Sequence, residues 1–331
     1  MNPPMRRLRI ATRRSQLALT QSRQVAARLQ RHWPGLQIEE VHVVTRGDRI
    51  QDRPLRQVGG KGLFVAEVEA VVARGEADLA VHSLKDVPGD VALAEGMAML
   101  CVPERQDPRD ALVGREPWDL AGVPTGARLG TSSVRRAAQL RRHRPDLQLV
   151  ALRGNVDTRL RKVREGACDV AVLAMAGLRR LGLVDSVRPW PLPVDTCLPA
   201  VGQGILALEG HAEDAALREL LAPLEHVPSR LEMEAERALV TTLRGDCHSA
   251  IAGLARWEPE ARRLTLQGWV GDPAGGPGLH AVASRYCRME RDLGAARALG
   301  RQVARTLLDQ GARALLDAAS AGALARGLRE N

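Results

Sequence analysis

Short apolar runs alternate with longer amphipathic ones through the first hundred residues. "LRIA" (8–11) reads as a strand, and apolar positions then recur at helical spacing from about Ser15 to His32, where "WPG" ends the helix. "LQIEEVHVV" (36–44) is a second strand. A polar stretch, "TRGDRIQDRPLRQVGGKG" (45–62), leads into the amphipathic run "LFVAEVEAVVARG", and "ADLAVHS" (77–83) reads as a strand again. Such alternation predicts α/β structure with a mostly parallel sheet. "VPERQDPRD" (102–110), with two prolines and dense charge, reads as a linker, and its carboxylates Asp107 and Asp110 as hinge groups with no part in chemistry.

The alternation restarts beyond that linker. "ARLGTSS", a helix from about Val134, "LQLVALRG", a helix from about Val156 to Glu165 and "DVAVLA" outline a second α/β domain. A proline- and glycine-rich breaker, "RPWPLPVDTCLPAVGQG" (188–204), precedes an apolar strand, "ILALEG", and a charged helix. From about residue 228 the order changes to a helix "PSRLEMEAERALVTTLR", strands "LTLQGWV" and "HAVASRY", and a long helix beginning "DLGAARALG", which predicts a separate α+β domain.

A length of 331 residues suits two or three domains. No run approaches the roughly eighteen apolar residues of a membrane span, and the basic N-terminus lacks an apolar stretch after it, so a cytoplasmic protein without membrane contact is expected. The net charge of +9 comes from 45 Arg and only 3 Lys against 39 acidic residues. Arginine forks hold carboxylates bidentately. Nucleic acid is a poorer match, since one Phe, one Tyr and five Trp supply few stacking platforms. An anionic small molecule fits the composition better.

Three segments concentrate chemistry-bearing residues. "AVHSLKDVPGD" ends an apolar strand in His82, Ser83, Lys85 and Asp86, and ligands of open α/β sheets bind beyond the carboxyl ends of strands. "GTSSVRR" places Thr131 and Ser133 at a strand-to-helix junction beside Arg135 and Arg136, a ready anion site. "LRGNVDTRL" repeats the arrangement with Arg153, Asn155 as N-cap and Arg159 one turn on. Ordinary capped helices with surface arginines would read the same way. "VGGKGLF" carries Lys61 and Phe64 but lacks phosphate-loop spacing. Cys247, in "TLRGDCHSAIAG", fits a nucleophile, a metal ligand, a small buried residue or a point of attachment. The five cysteines include no C-x-x-C pair, their odd number argues against a disulfide framework, and no metal site is expected.

Taken in order, "RIATRRSQLAL", "VTRGD", "GGKGLF", "AVHSLKDVP", "DPRDAL", "GTSSVRR", "LRGNVDTRL", "AGLRRLGL" and "LPAVGQG" resemble the porphobilinogen deaminase (hydroxymethylbilane synthase) family, densely over residues 8–254. The resemblance implies two periplasmic-binding-protein-like α/β domains with the active cleft between them, plus a smaller C-terminal α+β domain. It places domain 1 at 1–103 and 204–223, domain 2 at 109–199 and domain 3 at 226–331. It implies a transferase of tetrapyrrole (heme) biosynthesis that joins four porphobilinogen units head to tail, releasing ammonia, on a covalent dipyrromethane cofactor, to give hydroxymethylbilane. Cys247 then anchors the cofactor through a thioether and Asp86 is catalytic. Ser83, Lys85, Asp86, Thr131, Ser133, Arg135, Arg136, Arg153 and Gly154 are implied as cofactor-binding, and Arg13, Ser15, Phe64, Arg153, Arg159, Arg180 and Gln203 as substrate-binding. The protein is implied to be a monomer with porphobilinogen as its small-molecule partner.

Three positions depart from the family pattern: Gln57 where some members have Lys, Asp246 where many have Gly, and Ala250 where many have Pro. The rival reading is a binding protein or regulator on a similar scaffold. It would call for a signal peptide or a helix-turn-helix, and neither is visible.

Overall fold

A computed structural model of the chain describes residues 3–45, 65–89, 93–245, 249–272, 276–287 and 292–318. The chain forms two compact units, residues 1–106 with 205–230 and residues 107–204 with 231–331.

In the first unit, β1 (Arg7–Arg13), α1 (Gln16–His32), β2 (Gln37–Val43), α2 (Ala66–Ala73), β3 (Leu79–Ser83) and β4 (Met97–Cys101) come before the excursion into the second unit. The returning strand β10 (Leu206–His211) completes a sheet of order β2-β1-β3-β10-β4. β2, β1 and β3 are parallel, and β10 runs antiparallel to both neighbours. Both faces are covered, which is why these strands read as near-continuous apolar runs. Leu8 and Ile10 face Val25, Leu29 and Trp33 on one side, while Ala11 and Ala80 face Val68, Val71 and Val72 of α2 on the other. The start of α1 lies where the sequence places it, with Ser15 as N-cap accepting from the Ala18 N–H at 3.3 Å.

The second unit repeats that winding. β5 (Asp110–Gly114), β6 (Arg128–Gly130), β7 (Gln148–Val150), β8 (Val170–Ala174) and β9 (Trp190–Pro191) form a sheet of order β7-β6-β8-β5-β9. β7, β6 and β8 are parallel neighbours, and β5 is antiparallel to both β8 and β9. The helices α3 (Val134–His143) and α4 (Val156–Arg164) follow β6 and β7, and the short helices α5 (Met175–Arg180) and α6 (Val184–Val187) follow β8.

The C-terminal part of the second unit is a smaller antiparallel sheet, β11 (Ile251–Glu258), β12 (Arg263–Val270) and β13 (Leu279–Tyr286), packed with α9 (Leu293–Asp309). Ala250, Ala252, Leu254 and Trp269 share one core with Ala138 and Leu198, which seats this sheet on the α3 side of its neighbour. Between β10 and β11 the chain forms α7 (Ala215–Leu221) and α8 (Val227–Leu243). Glu236 of α8, fully buried, accepts from the Gly202 N–H at 2.6 Å and the Ala255 N–H at 2.8 Å, fixing both the "VGQG" turn and β11.

The fold class is thus α/β, two like-wound mixed sheets with a smaller C-terminal sheet-and-helix body. Two local expectations change. Residues 102–110 are not linker to their end, because Asp110 opens β5 and is 0 % exposed. β11 is an additional strand between the expected C-terminal-domain helix and "LTLQGWV", where no element was expected.

Candidate active site

In the first unit the candidates gather at the carboxyl ends of two parallel strands. Arg13 ends β1 and Ser15 caps the helix that follows. Ser83 ends β3, where its hydroxyl accepts from Gln21 Nε2 of α1 at 2.8 Å. The next three residues, Leu84–Asp86, make a single 3₁₀ turn. It is pinned by the Leu84 N–H to the Ile205 carbonyl and the Val87 N–H to the Leu84 carbonyl, each at 3.0 Å. Leu84 is buried, so the turn pushes Lys85 and Asp86 outward, and both are exposed. Among the described residues the Asp86 carboxylate has no hydrogen-bond or ion-pair partner. It stands as an available negative charge on a rigid turn.

In the second unit the start of α3 is built from hydroxyls. Ser133 is the N-cap and accepts from the Arg136 N–H at 3.4 Å, Thr131 Oγ1 accepts from the Ser133 N–H at 3.2 Å, and Ser132 Oγ donates to the Leu152 carbonyl at 3.1 Å. Arg153 lies in the loop before α4, half-buried, and its guanidinium has no partner among the described residues. Gly154 has φ +109°, and a Cβ there would lie 2.6 Å from Thr158 Cγ2, so glycine is required for the close turn. Arg159 Nε donates to the Gly154 carbonyl at 2.8 Å, tightening the same turn. Asn155 holds the N-cap position of α4 without a side-chain capping bond. Arg180 is buried, donates to the Gly204 carbonyl at 2.8 Å, and has its pKa lowered by burial to about 10.

Arg135, Arg136 and Gln203 converge on one group that sequence reasoning placed in a hinge, Asp110. Arg135 Nη2 reaches Asp110 Oδ2 at 2.7 Å, while Arg136 donates to Oδ1 from Nη2 at 2.7 Å and from Nε at 3.1 Å. Gln203 Nε2 adds a bond to Oδ1 at 2.9 Å and another to the Pro108 carbonyl at 2.6 Å. The remaining guanidinium edges go to the Leu198 and Val172 carbonyls, at 2.6 and 2.9 Å. Both arginines are buried, at 5 and 6 % exposed. Burial alone would push the Asp110 carboxyl up. The two guanidiniums, with the hydrogen bonds of Arg136 and Gln203, outweigh it and hold the carboxyl well below the usual range.

Cys197, beside the same carboxylate, is pushed up to about 12 by burial and by the Asp110 charge, and is an inert thiol. Two guanidiniums share one carboxylate, so the cluster keeps one positive charge in excess, and it keeps it at a helix start, where the backbone field is also positive.

Cys247, Phe64, Gln57 and Asp246 lie outside the described residues, whereas Ala250 is described and packs in the core that joins the small sheet to α3. The four described cysteines, Cys101, Cys168, Cys197 and Cys287, are all buried. Asp110 is the residue the sequence reading missed. Its signal was an aspartate set directly against the apolar run "ALV", where a charge can enter a core only with partners.

Two family models match the chain: porphobilinogen deaminase, dipyromethane cofactor binding domain, over residues 8–219, and porphobilinogen deaminase, C-terminal domain, over residues 230–309. The chain belongs to the porphobilinogen deaminase family. A porphobilinogen deaminase of Xanthomonas oryzae pv. oryzae is 49% identical over 314 residues, covering 95% of this chain and 100% of the relative. That of Xanthomonas axonopodis pv. citri is 49% identical over 312 residues, covering 94% and 99%.

Among solved structures, the sulphonate-binding protein SsuA of Escherichia coli aligns with a TM-score of 0.38 at 14% identity, over 72% of this chain and 71% of that one. The probable amino-acid-binding protein ytmK of Bacillus subtilis aligns with 0.39 at 7% identity, over 66% and 89%. Both scores are too low to bear on function. The porphobilinogen deaminase family membership makes the chain a deaminating transferase of porphyrin and heme biosynthesis with a dipyrromethane cofactor. Taken unit by unit, the residues present are of the kinds such a group calls for: in the second unit a guanidinium, Arg153, and a hydroxyl-built helix start suit acetate and propionate chains, and in the first unit the exposed Asp86 carboxylate is an acceptor of the kind pyrrole N–H groups need. No helix among the described residues is long and apolar enough to cross a membrane.

Proposed function

We propose that the chain joins four porphobilinogen units head to tail, releasing ammonia at each addition, to give hydroxymethylbilane, and that Asp86 is its catalytic carboxylate. The observation that carries this reading is the state of Asp86: an exposed carboxylate on a pinned turn beyond β3, with no competing partner among the described residues, in a chain of this family. Loss of ammonia from porphobilinogen leaves positive charge on the ring. A fixed carboxylate stabilises that charge and can accept and return the pyrrole N–H proton.

The other residues have separable duties. Bound dipyrromethane supplies the primer for chain growth, and Cys247 is its thioether anchor. Arg13, Ser15, Lys85, Arg153 and Arg159 hold carboxylates of cofactor and substrate, with Ser83, Gly154, Phe64 and Arg180 shaping their surroundings. Thr131 and Ser133 present the α3 start, and Arg135, Arg136 and Gln203 act with Asp110 as a fixed field carrying one surplus positive charge. We assign three domains, 1–103 with 204–223, 109–199 and 226–331, in a monomeric cytoplasmic enzyme.

The test of the anchor is the intact mass of purified protein. Wild type should exceed the polypeptide by two linked pyrroles, and Cys247→Ser should match the bare chain and have no turnover. Replacing Cys101, Cys168, Cys197 or Cys287 should leave the increment in place. A wild-type mass equal to the bare polypeptide, from cells that make tetrapyrroles, would remove the anchor.

A further inference from the structure

The face of the first sheet that packs on α2 holds ionisable groups with no duty in the reaction as read above. His82 Nε2 lies 2.8 Å from Glu209 Oε2, with side chains 5 and 0 % exposed. Glu209 pairs with Ala80 across the β3–β10 ladder, and side chains alternate along β3, so Ala80, His82 and Glu209 share this face. From α2, the half-buried Glu69 faces the Glu209 carboxyl closely enough to interact with it and accepts from the Ala94 N–H at 2.6 Å. Two carboxyl groups can bond to each other only with a proton between them. Taken as two acceptors, the pair leaves Glu209 Oε1 buried without a hydrogen-bond partner among the described residues. A proton on Glu69 supplies the Glu209 carboxyl with a donor.

Partial burial raises the Glu69 pKa and the Glu209 charge raises it further, against the Ala94 N–H, which lowers it. The other ionisable groups on the elements around Glu69 are few. α2 itself carries Glu67. β10 adds His211, which bonds the Val72 carbonyl at 3.1 Å. β1 adds Arg13, two residues past the inward-facing Ala11, while β2 contributes apolar Val41 and Val43.

We propose that Glu69, Glu209 and His82 form one hydrogen-bonded chain running from the edge of α2 into the sheet, with a proton held between the two carboxyls, and that it positions the end of β3 and so the Asp86 turn. The last residues of β3 are then held from both faces, Ser83 by Gln21 of α1 and His82 by Glu209 and Glu69. The turn that follows starts from a fixed origin, which a catalytic carboxylate needs because small misplacements are costly. These three are positioning residues, and the inference rests on the reading of Asp86 as the catalytic carboxylate.

The experiment compares holoenzyme carrying Glu69→Gln, Glu69→Ala and Glu209→Gln, each checked for cofactor by intact mass. A Gln amide at 69 donates as the protonated acid does. Glu69→Ala should therefore lose about a hundredfold in kcat with KM little changed, and Glu69→Gln should recover most of that loss. Glu209→Gln, which removes the charge facing His82, should fall on the Ala side.

Infrared spectroscopy reads the proton directly. Wild type should show a protonated-carboxyl band that Glu69→Gln lacks. A carboxyl whose folded pKa is raised stabilises the fold below its unfolded value and loses that contribution as pH rises through the folded value. Wild type should accordingly decline in stability over that window, and Glu69→Gln should not. Equal kcat losses in Glu69→Gln and Glu69→Ala, or a band that persists in Glu69→Gln, would overturn the proposal. Failure of the Asp86 reading shows elsewhere, as near-normal turnover in cofactor-loaded Asp86→Asn, and leaves the infrared band unmoved.

Discussion

Asp86 and Asp110 both border an apolar strand, Asp86 three residues beyond the end of β3 and Asp110 at the first position of β5, and their surroundings are opposite. Asp110 is fully buried and receives hydrogen bonds from Arg135, Arg136 and Gln203, with the Cys197 thiol 3.5 Å away. Asp86 is exposed and has no such partner among the described residues. A carboxylate whose lone pairs are already occupied can organise a core but cannot receive a proton or face a new cation without giving up its bonds. One left open on a rigid turn can do both. On the function proposed above, Asp110 serves the architecture and Asp86 the chemistry.

The largest effect should come from emptying the buried cluster. Asp110→Ala leaves two buried guanidiniums without their counter-ion, and a stability loss of about 3 to 5 kcal/mol is expected from urea midpoints. The acid limb should sharpen the contrast. The folded pKa of Asp110 is depressed, so its contribution is present above the unfolded value of about 4 and is lost as pH falls toward the folded one. Wild type should weaken over that acid range, and Asp110→Asn should lack that share of the pH dependence.

Arg153→Leu should do the reverse. Stability should stay within about 0.5 kcal/mol, while a lost carboxylate fork raises KM or lowers cofactor content by about tenfold, read from initial rates and intact mass. The smallest expected effect is at the α3 cap, where Ser133→Ala should cost about 1 kcal/mol of stability in the same urea series.

Much of the fold was legible because its signals are local. The α1 start follows from Ser15 before an amphipathic run, and β3, β8 and β10 are apolar runs buried on both faces. β5 was not legible. It lies just past a proline-rich, charged segment and is defined by pairing with β8, whose register joins Asp110 to Ala174. β11 was obscured by small residues, which the fold needs there, since a Cβ at Gly253 would lie 2.8 Å from Leu239 Cδ2 of α8. Of the candidate site, the exposed position of Asp86 beyond β3 and the hydroxyl-built start of α3 were readable from position and residue type. That Arg135 and Arg136 meet Asp110, 25 and 26 residues earlier, was not, because a guanidinium reads the same in sequence whether its carboxylate belongs to a ligand or to the core.

The division between the two aspartates is tested most directly by the rate of porphobilinogen consumption in Asp86→Asn protein shown by mass to carry the cofactor. Asn keeps the shape of Asp and removes the charge and the proton acceptor. The rate should fall on the order of a thousandfold while the urea midpoint stays at the wild-type value. Near-normal consumption by the loaded variant would contradict the account and remove Asp86 from the chemistry.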